Sequence, residues 1–189
     1  MIESVSINPV TPVFFPFPKI ARLSRDICVT EKLDGTNACI HITEDGRMFA
    51  GSRTRWITPA ADNYGFSKWV ERHGIELLLL GPGTHFGEWW GAGIQRRYGL
   101  TEKRFSLFNV GRWNAANQPP TCCHVVPVLY KGPFSQKIID DCLTVLCIGG
   151  SVAAPGFMNP EGIVVYHTAA KIMFKKTLEK DEQPKGVTA

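Results

Sequence analysis

The chain has 189 residues, of which 44% are hydrophobic and 20% are charged, and its net charge is +4. These values are typical of a folded, soluble protein that is long enough to bury a real core. The mild positive charge suits an anionic partner without requiring one. No stretch approaches the ~20 apolar residues of a membrane-spanning helix, and the first residues lack the pattern of a signal peptide, so both classes are excluded.

The six cysteines include no CxxC pair. Cys122 and Cys123 are adjacent, which is a poor arrangement for zinc, and the five histidines show no metal-binding spacing. We therefore expect free thiols in a reducing, cytoplasmic compartment.

The two ends of the chain differ from the rest. Residues 1–20 form a proline-rich arm with four prolines between Pro9 and Pro18, which excludes a regular helix or a central strand. We expect the aromatic side chains of this arm to pack against the domain. Residues 179–189 form a charged tail, which we expect to be solvated.

Between the ends, strand and helix patterns alternate without a repeat or a break in composition. Strands are predicted at residues 27–30, 38–42, 48–52, 85–90, 105–110, 125–130, 162–167 and 172–177, the last two as a pair. Helices are predicted at residues 66–80, where Gly74 weakens the pattern, and at 136–148, where Ser135 is a suitable N-cap. The chain is therefore predicted to be one α+β domain over residues 1–189, built around antiparallel sheets with two main helices.

Residues 31–37, EKLDGTN, place Lys32 in a turn-like stretch between two predicted strands. Asp34-Gly35 is a common turn pair, so a hairpin loop with a solvated lysine is the simplest interpretation. A lysine that acts as a nucleophile is the alternative, and other segments bear on the choice.

Five further segments combine charged and aromatic residues, and each also has an ordinary structural interpretation. In HFGEWWGAGIQRRYG, residues 85–99, Trp89, Trp90 and Tyr98 beside arginines and glycines would suit the binding of bases and phosphates. In KIMFKKT, residues 171–177, Lys171 and Lys175 would share one strand face, as lysines that protect an edge strand also would. The other three are GSRTRW (51–56), RFSLFNV (104–110) and PEGIVVY (160–166).

Taken in order, these segments resemble the covalent nucleotidyltransferases, the group that contains polynucleotide ligases and mRNA capping enzymes. EKLDGTN is similar to motif I, Ser52-Arg53 to motif Ia, Phe86-Gly87-Glu88-Trp89 to motif III, Phe108-Asn109 to motif IIIa, Glu161-Gly162 to motif IV, and residues 171–175 to motif V. The resemblance covers residues 13–187. Asn37 and the run from Glu88 to Arg96 are similar to the phage nick-sealing branch of the RNA ligases.

The resemblance implies an ATP-grasp-like adenylyltransferase domain and an ATP-dependent RNA ligase that requires Mg²⁺ or Mn²⁺. Lys32 would form a covalent lysyl-AMP, AMP would pass to a 5′-phosphate, and a 3′-hydroxyl would then seal the strand. The implied catalytic residues are Lys32, Glu161, Lys171 and Lys175, with the metal at Glu161. The implied nucleotide contacts are Glu31, Asn37, Arg53, Glu88, Phe108, Lys171 and Lys175. The implied nucleic-acid contacts are Asn37, Arg55, Arg96 and Arg97.

Two departures from the family pattern matter. Motif V usually carries lysines at i and i+2, but Met173 occupies the middle position here, which favours Lys175 over Lys171. Only 14 residues follow Lys175, too few for the C-terminal OB-fold domain of many relatives, so we expect no such domain. A partner protein could supply nucleic-acid binding to what we expect to be a monomer.

Three other functions stay open. An ATP-dependent DNA ligase is the nearest, although Asn37 argues weakly against it. A guanylyltransferase is less favoured for the same reason and because the chain is short. An inactive module that binds nucleotides or nucleic-acid ends would not need Lys32, Glu88 and Glu161 together.

Overall fold

In the computed structural model, residues 13–179 and 181–182 are described, and they contain two β-sheets and few helices. The strands are β1 (Asp26–Lys32), β2 (Thr36–Ile42), β3 (Met48–Ser52), β4 (Trp56–Ile57), β5 (Gly83–Gly91), β6 (Lys103–Leu107), β7 (Cys123–Val125), β8 (Val128–Pro133), β9 (Gly162–His167) and β10 (Ile172–Thr177). The helices are α1 (Phe66–Arg72), α2 (Gly74–Leu77), which continues into a 3₁₀ turn (Leu78–Leu80), and α3 (Gln136–Gly149).

The strands divide between a four-stranded and a six-stranded sheet. The first, sheet A, has the order β10-β9-β1-β8 and is antiparallel throughout. The second, sheet B, has the order β4-β3-β2-β5-β6-β7, and its only parallel pair among the described strands is β6 with β7. The chain leaves sheet A at Lys32 and enters sheet B at Thr36. The hairpin interpretation of EKLDGTN is therefore wrong, because β1 and β2 pair with other strands.

Three apolar clusters hold these layers together. Helices α1 and α2 cover one face of sheet B, where Phe66, Trp89 and Phe105 are fully buried. Helix α3 covers one face of sheet A, where it packs on residues such as Val29 and Ile163. A third cluster joins the segment after β1 to the rest, through Leu33, Trp90, Tyr98, Val126 and Ala154. Because strand side chains alternate, Lys32 of sheet A and Glu88 of sheet B lie on the faces opposite those that the helices cover.

Several predicted elements need correction. The predicted helix over residues 66–80 is interrupted at His73, where the backbone leaves helical geometry before Gly74. The predicted strand at 125–130 is two strands separated by Pro127, which lacks the N–H that a continuous ladder needs. Within the arm, Phe14 and Phe17 are 85% and 82% exposed, so the expected packing of these rings is wrong. Residues 1–12, and most of the predicted tail, lie outside the described residues.

The α+β class with antiparallel sheets is confirmed, and the last two strands pair as predicted. Among the described residues, the structure contains no helix of the length and apolarity that crossing a membrane requires.

Candidate active site

The site is centred on Lys32, the last residue of β1. Its Nζ donates a hydrogen bond of 2.5 Å to Oε2 of Glu161, and the two side chains are 18% and 4% exposed. Glu161 immediately precedes β9, whose first residue, Gly162, pairs with Lys32 across the sheet. The strand register therefore brings together two residues that lie 129 positions apart in the chain.

Gly162 is needed for this arrangement. A Cβ at this position would lie 2.2 Å from the backbone oxygen of Lys176, and the φ angle of 150° is one that other residues rarely adopt. The absence of a side chain lets β9 and β10 approach closely beside Lys32.

Glu88 brings a second buried carboxylate to the site from β5 of sheet B. Its Oε1 accepts a hydrogen bond of 3.1 Å from the backbone N–H of Gly35, and its Oε2 accepts one of 3.0 Å from Nδ2 of Asn37. Asn37 lies directly opposite Glu88 in the β2–β5 ladder. Gly35 has no room for a side chain, because a Cβ would lie 2.4 Å from the backbone oxygen of Trp89. Glu88 thus ties the EKLDGTN segment to sheet B.

Glu88 interacts electrostatically with both members of the Lys32–Glu161 ion pair, so it faces the same site. Burial raises the pKa of Glu88 to about 7, and the neighbouring Glu161 carboxylate contributes to the increase. The Lys32 ammonium and the hydrogen bonds from Gly35 and Asn37 act in the opposite direction. Burial dominates because a carboxylate loses its water on entering a poorly solvated region.

Asp34 and Arg96 hold the segment from the other side. The backbone N–H of Asp34 donates to Oη of the buried Tyr98 at 2.8 Å, and Nε of Arg96 donates to Oδ2 of Asp34 at 3.1 Å. Nη1 of Arg96 also donates to the backbone oxygen and to Oδ1 of Asn159, at 3.1 and 2.6 Å. Arg96 therefore links EKLDGTN to the segment before Glu161, a role that the sequence did not reveal. Trp89, Trp90 and Tyr98 are buried in the cores and do not present a base-binding surface.

Glu31 points away from Lys32, as strand alternation requires. Its buried carboxylate accepts hydrogen bonds from Oγ of Ser151 and from the backbone N–H groups of Val152 and Ala153, at 2.6, 2.9 and 2.9 Å. Burial raises the pKa of Glu31, and these three hydrogen bonds partly offset the increase. The side chain thus anchors the segment after α3, which leaves only the backbone of Glu31 for a nucleotide.

Other predicted contacts are exposed on the face of sheet B that carries Glu88. Phe108 follows β6 and donates its backbone N–H to the backbone oxygen of Phe86 at 3.0 Å, and both rings are partly exposed, at 38% and 60%. The alternation along β5 places Phe86 on the same face as Glu88. Arg53 and Arg55 are exposed in the turn between β3 and β4, and Arg97 is exposed beside Arg96.

The two predicted motif V lysines lie at different places. Lys175 is in β10, opposite Val164 of β9. Lys32, Gly162 and Thr177 are paired side by side across the sheet, and Lys175 is two residues before Thr177. Because side chains two residues apart in a strand point the same way, Lys175 is on the same sheet face as Lys32. Lys176 points the other way and forms an ion pair with Asp140 of α3 at 2.8 Å.

Lys171 precedes β10, in the turn after β9, with a φ of 55°. At about 3.3 Å per residue it lies about 20 Å along the hairpin from the row of Lys32. The prediction that Lys171 and Lys175 share one strand face is therefore corrected, because Lys171 lies outside the strand.

The family model described as RNA ligase matches residues 25–179, most of the chain. The chain belongs to the RNA ligase family. No curated protein sequence matches it.

Solved structures of a Naegleria gruberi RNA ligase resemble this RNA ligase family member. A mutant with ATP and Mn is 19% identical, with a TM-score of 0.60 over 83% of this chain and 51% of that one. A mutant with AMP and Mn is 20% identical, with a TM-score of 0.58 over 81% and 49%. An apo mutant is 19% identical, with a TM-score of 0.59 over 82% and 50%. At these identities the likeness shows the fold, and the chain spans about half the length of those ligase chains.

The arrangement in this family member is suited to nucleophilic chemistry on a phosphate. A primary amine is held in place by one buried carboxylate, a second carboxylate lies within its field, and a further lysine shares its sheet face. Sequence reasoning missed Tyr98, Asn159 and Ser151 as supports. Their partners are 64, 63 and 120 residues away, and no local pattern marks such pairs.

Proposed function

We propose that this chain is the catalytic domain of an ATP-dependent RNA ligase of the nick-sealing type. The observation that carries the proposal is the hydrogen bond between Lys32 and Glu161, together with Glu88 on the other side of the same site. A lysine nucleophile needs a fixed direction of attack and a group that accepts its proton. Glu161 is placed to do both.

The first step forms a bond between Nζ of Lys32 and the α-phosphorus of ATP. The bond from that phosphorus to the bridging oxygen breaks, and pyrophosphate leaves with the electron pair. The proton lost from Nζ passes to Glu161 or to water. Lys175, on the same face as Lys32, is positioned to stabilise negative charge that develops on the phosphates.

Two further steps complete the reaction. An oxygen of a 5′-phosphate on RNA attacks the phosphorus of lysyl-AMP, and the bond to Nζ breaks, which regenerates Lys32. A 3′-hydroxyl then attacks the activated 5′-phosphate and AMP leaves, so that one phosphodiester bond forms. RNA ends or nicks are therefore the proposed substrate.

The residues present fit a divalent metal ion. Glu161 and Glu88 are buried carboxylates that act on the same lysine, and Mg²⁺ and Mn²⁺ prefer oxygen ligands of this type. Glu161 is the proposed ligand. When bound, such an ion would neutralise charge on the phosphates.

The same face offers contacts for the nucleotide and the RNA. Phe108 is proposed to stack on adenine, and Glu88 and Asn37 to contact the ribose or the nucleic-acid strand. Phe49, Trp56 and His41 form an aromatic cluster on this face, with ring centroids 6.0–6.4 Å apart. Base stacking on aromatic rings is a general way to bind single strands, and Arg53 and Arg55 lie in the adjoining turn. Cytoplasmic location, a monomeric state and a helper protein stay predictions.

The experiment first tests the formation of lysyl-AMP and then tests the sealing of nicked duplexes. The protein is incubated with Mg²⁺ and α-labelled ATP and run on a denaturing gel, beside Lys32→Arg and the exposed-site control Lys68→Ala. We expect label on the wild type and on Lys68→Ala only. Unlabelled ATP with nicked RNA or nicked DNA duplexes then identifies the substrate. Labelling without sealing of either duplex would limit the chain to adenylation, and no labelling would contradict the proposal.

A further inference from the structure

A second group of chemically reactive side chains meets far from Lys32 in the fold. His73 lies between α1 and α2, Glu76 lies in α2, and Cys122 immediately precedes β7. Ring nitrogen, carboxylate oxygen and thiol sulfur all lie within 4.8 Å of one another. Trp69, which packs against His73, also contacts Trp89 in the core beneath sheet B. The cluster is therefore on the helical side of that sheet, opposite the face that carries Glu88.

The ligand atoms are already close to the spacing of a tetrahedral zinc site. Nδ1 of His73 and Oε1 of Glu76 are 3.3 Å apart. Zinc bonds of about 2.0–2.2 Å to nitrogen and oxygen give a tetrahedral edge of about 3.3–3.6 Å. The sulfur of Cys122 must approach the other two ligand atoms by at most about 1.2 Å, since an edge between nitrogen or oxygen and sulfur is about 3.6 Å.

Neighbouring residues orient these ligands as the surroundings of metal sites do. Oγ1 of Thr121 donates to Oε2 of Glu76 at 3.0 Å, which leaves the other oxygen directed at His73. The Trp69 ring, 5.0 Å from the His73 ring, restricts the imidazole. Such supporting contacts commonly change metal affinity 10–100-fold.

We propose that His73, Glu76 and Cys122 form a binding site for a single zinc ion, with a water molecule as the fourth ligand. The donor set of one nitrogen, one oxygen and one sulfur is typical of Zn²⁺ rather than of Mg²⁺, which takes oxygen ligands. Glu76 is partly exposed, which gives the ion a route of entry. The ion cross-links α1 and α2 to the segment before β7 and so stabilises sheet B. This inference does not depend on the ligase activity.

The test uses Co²⁺ as a spectroscopic probe of the full chain, reduced and freed of metal by a chelator. We expect one equivalent of Co²⁺ to produce a thiolate-to-cobalt absorption band that Zn²⁺ abolishes. One equivalent of Zn²⁺ should raise the melting temperature by about 3 °C or more. Cys122→Ser should remove the band, His73→Gln should lower the affinity by at least about 100-fold, and Thr121→Val by 10–100-fold. Cys147→Ser, an exposed cysteine on α3, should leave binding unchanged.

Two results would overturn the proposal. The first is the lack of a cobalt–thiolate band in the wild type, which requires no variant to fold. The second is a band that persists in Cys122→Ser. Labelling of Lys32 with AMP is measured on the same samples, so a failed metal site and a failed ligase activity are distinguished.

Discussion

Lys32 and Glu161 form a hydrogen-bonded ion pair that crosses two antiparallel strands, because Lys32 pairs with Gly162 in the β1–β9 ladder. Glu161 is almost fully buried and Lys32 largely so. The carboxylate therefore holds the amine at one place, at the junction where the chain passes from sheet A to sheet B.

Removal of the carboxylate charge should damage both activity and stability. Glu161→Gln leaves the largely buried Lys32 ammonium without its carboxylate partner. We therefore expect the rate of lysyl-AMP formation to fall about 100-fold or more and the free energy of unfolding to fall by about 3 kcal/mol. The double variant Lys32→Met/Glu161→Gln should recover part of that loss in urea unfolding. Strictly additive effects of the two single changes would show that the pair is not coupled.

The two lysines around β10 should differ sharply. Lys175→Ala removes a cation from the face that carries Lys32, so we expect the initial rate of AMP labelling to fall about 10-fold or more. Lys171→Ala, in the turn at the far end of the hairpin, is the matched control and should stay within about two-fold of the wild type. Equal losses in both variants would contradict the placement of Lys175 at the phosphates.

The raised pKa of Glu88 should appear in the pH dependence of stability. Between pH 4.5, which is the ordinary pKa of this carboxyl, and about pH 7, Glu88 of the folded protein holds a proton that the unfolded chain has released. The free energy of unfolding should therefore fall as the pH rises through this window, by at most about 1.4 kcal/mol per pH unit. The Glu88→Gln variant should lack this fall in the free energy of unfolding when urea unfolding is compared from pH 4.5 to 8. The same dependence on pH in the variant and the wild type would contradict the raised pKa of Glu88.

Arg96 and its neighbour Arg97 should have different roles. We expect Arg96 to position the site and Arg97 to contact RNA. Arg96→Ala removes the hydrogen bonds to Asp34 and Asn159, so we expect the free energy of unfolding to fall by about 2 kcal/mol and AMP labelling to slow. Arg97→Ala should leave both unchanged and weaken binding of nicked RNA. The reverse pattern, with Arg96→Ala affecting RNA affinity alone, would restore Arg96 as a nucleic-acid contact.

The aromatic cluster on sheet B should act on the nucleic acid and not on ATP. Trp56→Ala is expected to weaken binding of nicked RNA by about 5–150-fold, which corresponds to the ~1–3 kcal/mol of base stacking. AMP labelling should stay within about two-fold. Ile75→Ala, an exposed apolar residue in α2, is the control for lost apolar surface. Unchanged RNA affinity in Trp56→Ala, measured by fluorescence anisotropy, would exclude this surface.

Local patterns in the sequence predict much of this fold. β3, β9 and β10 lie where alternation and turn residues place them, and α3 begins after the predicted N-cap Ser135 and ends within one residue of the predicted bound. The α+β class follows from the same patterns. The failures have physical causes, since Pro127 divides one apolar run into two strands and His73 interrupts a helix whose apolar pattern continues.

The site was less accessible to sequence reasoning, because its geometry depends on distant pairs. The order of the motifs indicated Lys32, Glu88 and Glu161, which the structure brings together. Spacing alone suggested a hairpin at Asp34-Gly35, although the two strands belong to different sheets. The contact of Arg96 with Asp34 spans 62 residues and leaves no local signal. The cluster of His73, Glu76 and Cys122 is hidden in the sequence for the same reason.

Peptide mass mapping is the most direct test of whether Lys32 is the nucleophile. The full chain is incubated with ATP, Mg²⁺ and pyrophosphatase, and its intact mass and proteolytic peptides are measured, with AMP acquired before purification excluded from the starting mass. We expect a gain of one AMP per chain, located on the peptide that contains Lys32. An AMP on any other residue, or no gain in mass, would show that Lys32 is not the nucleophile.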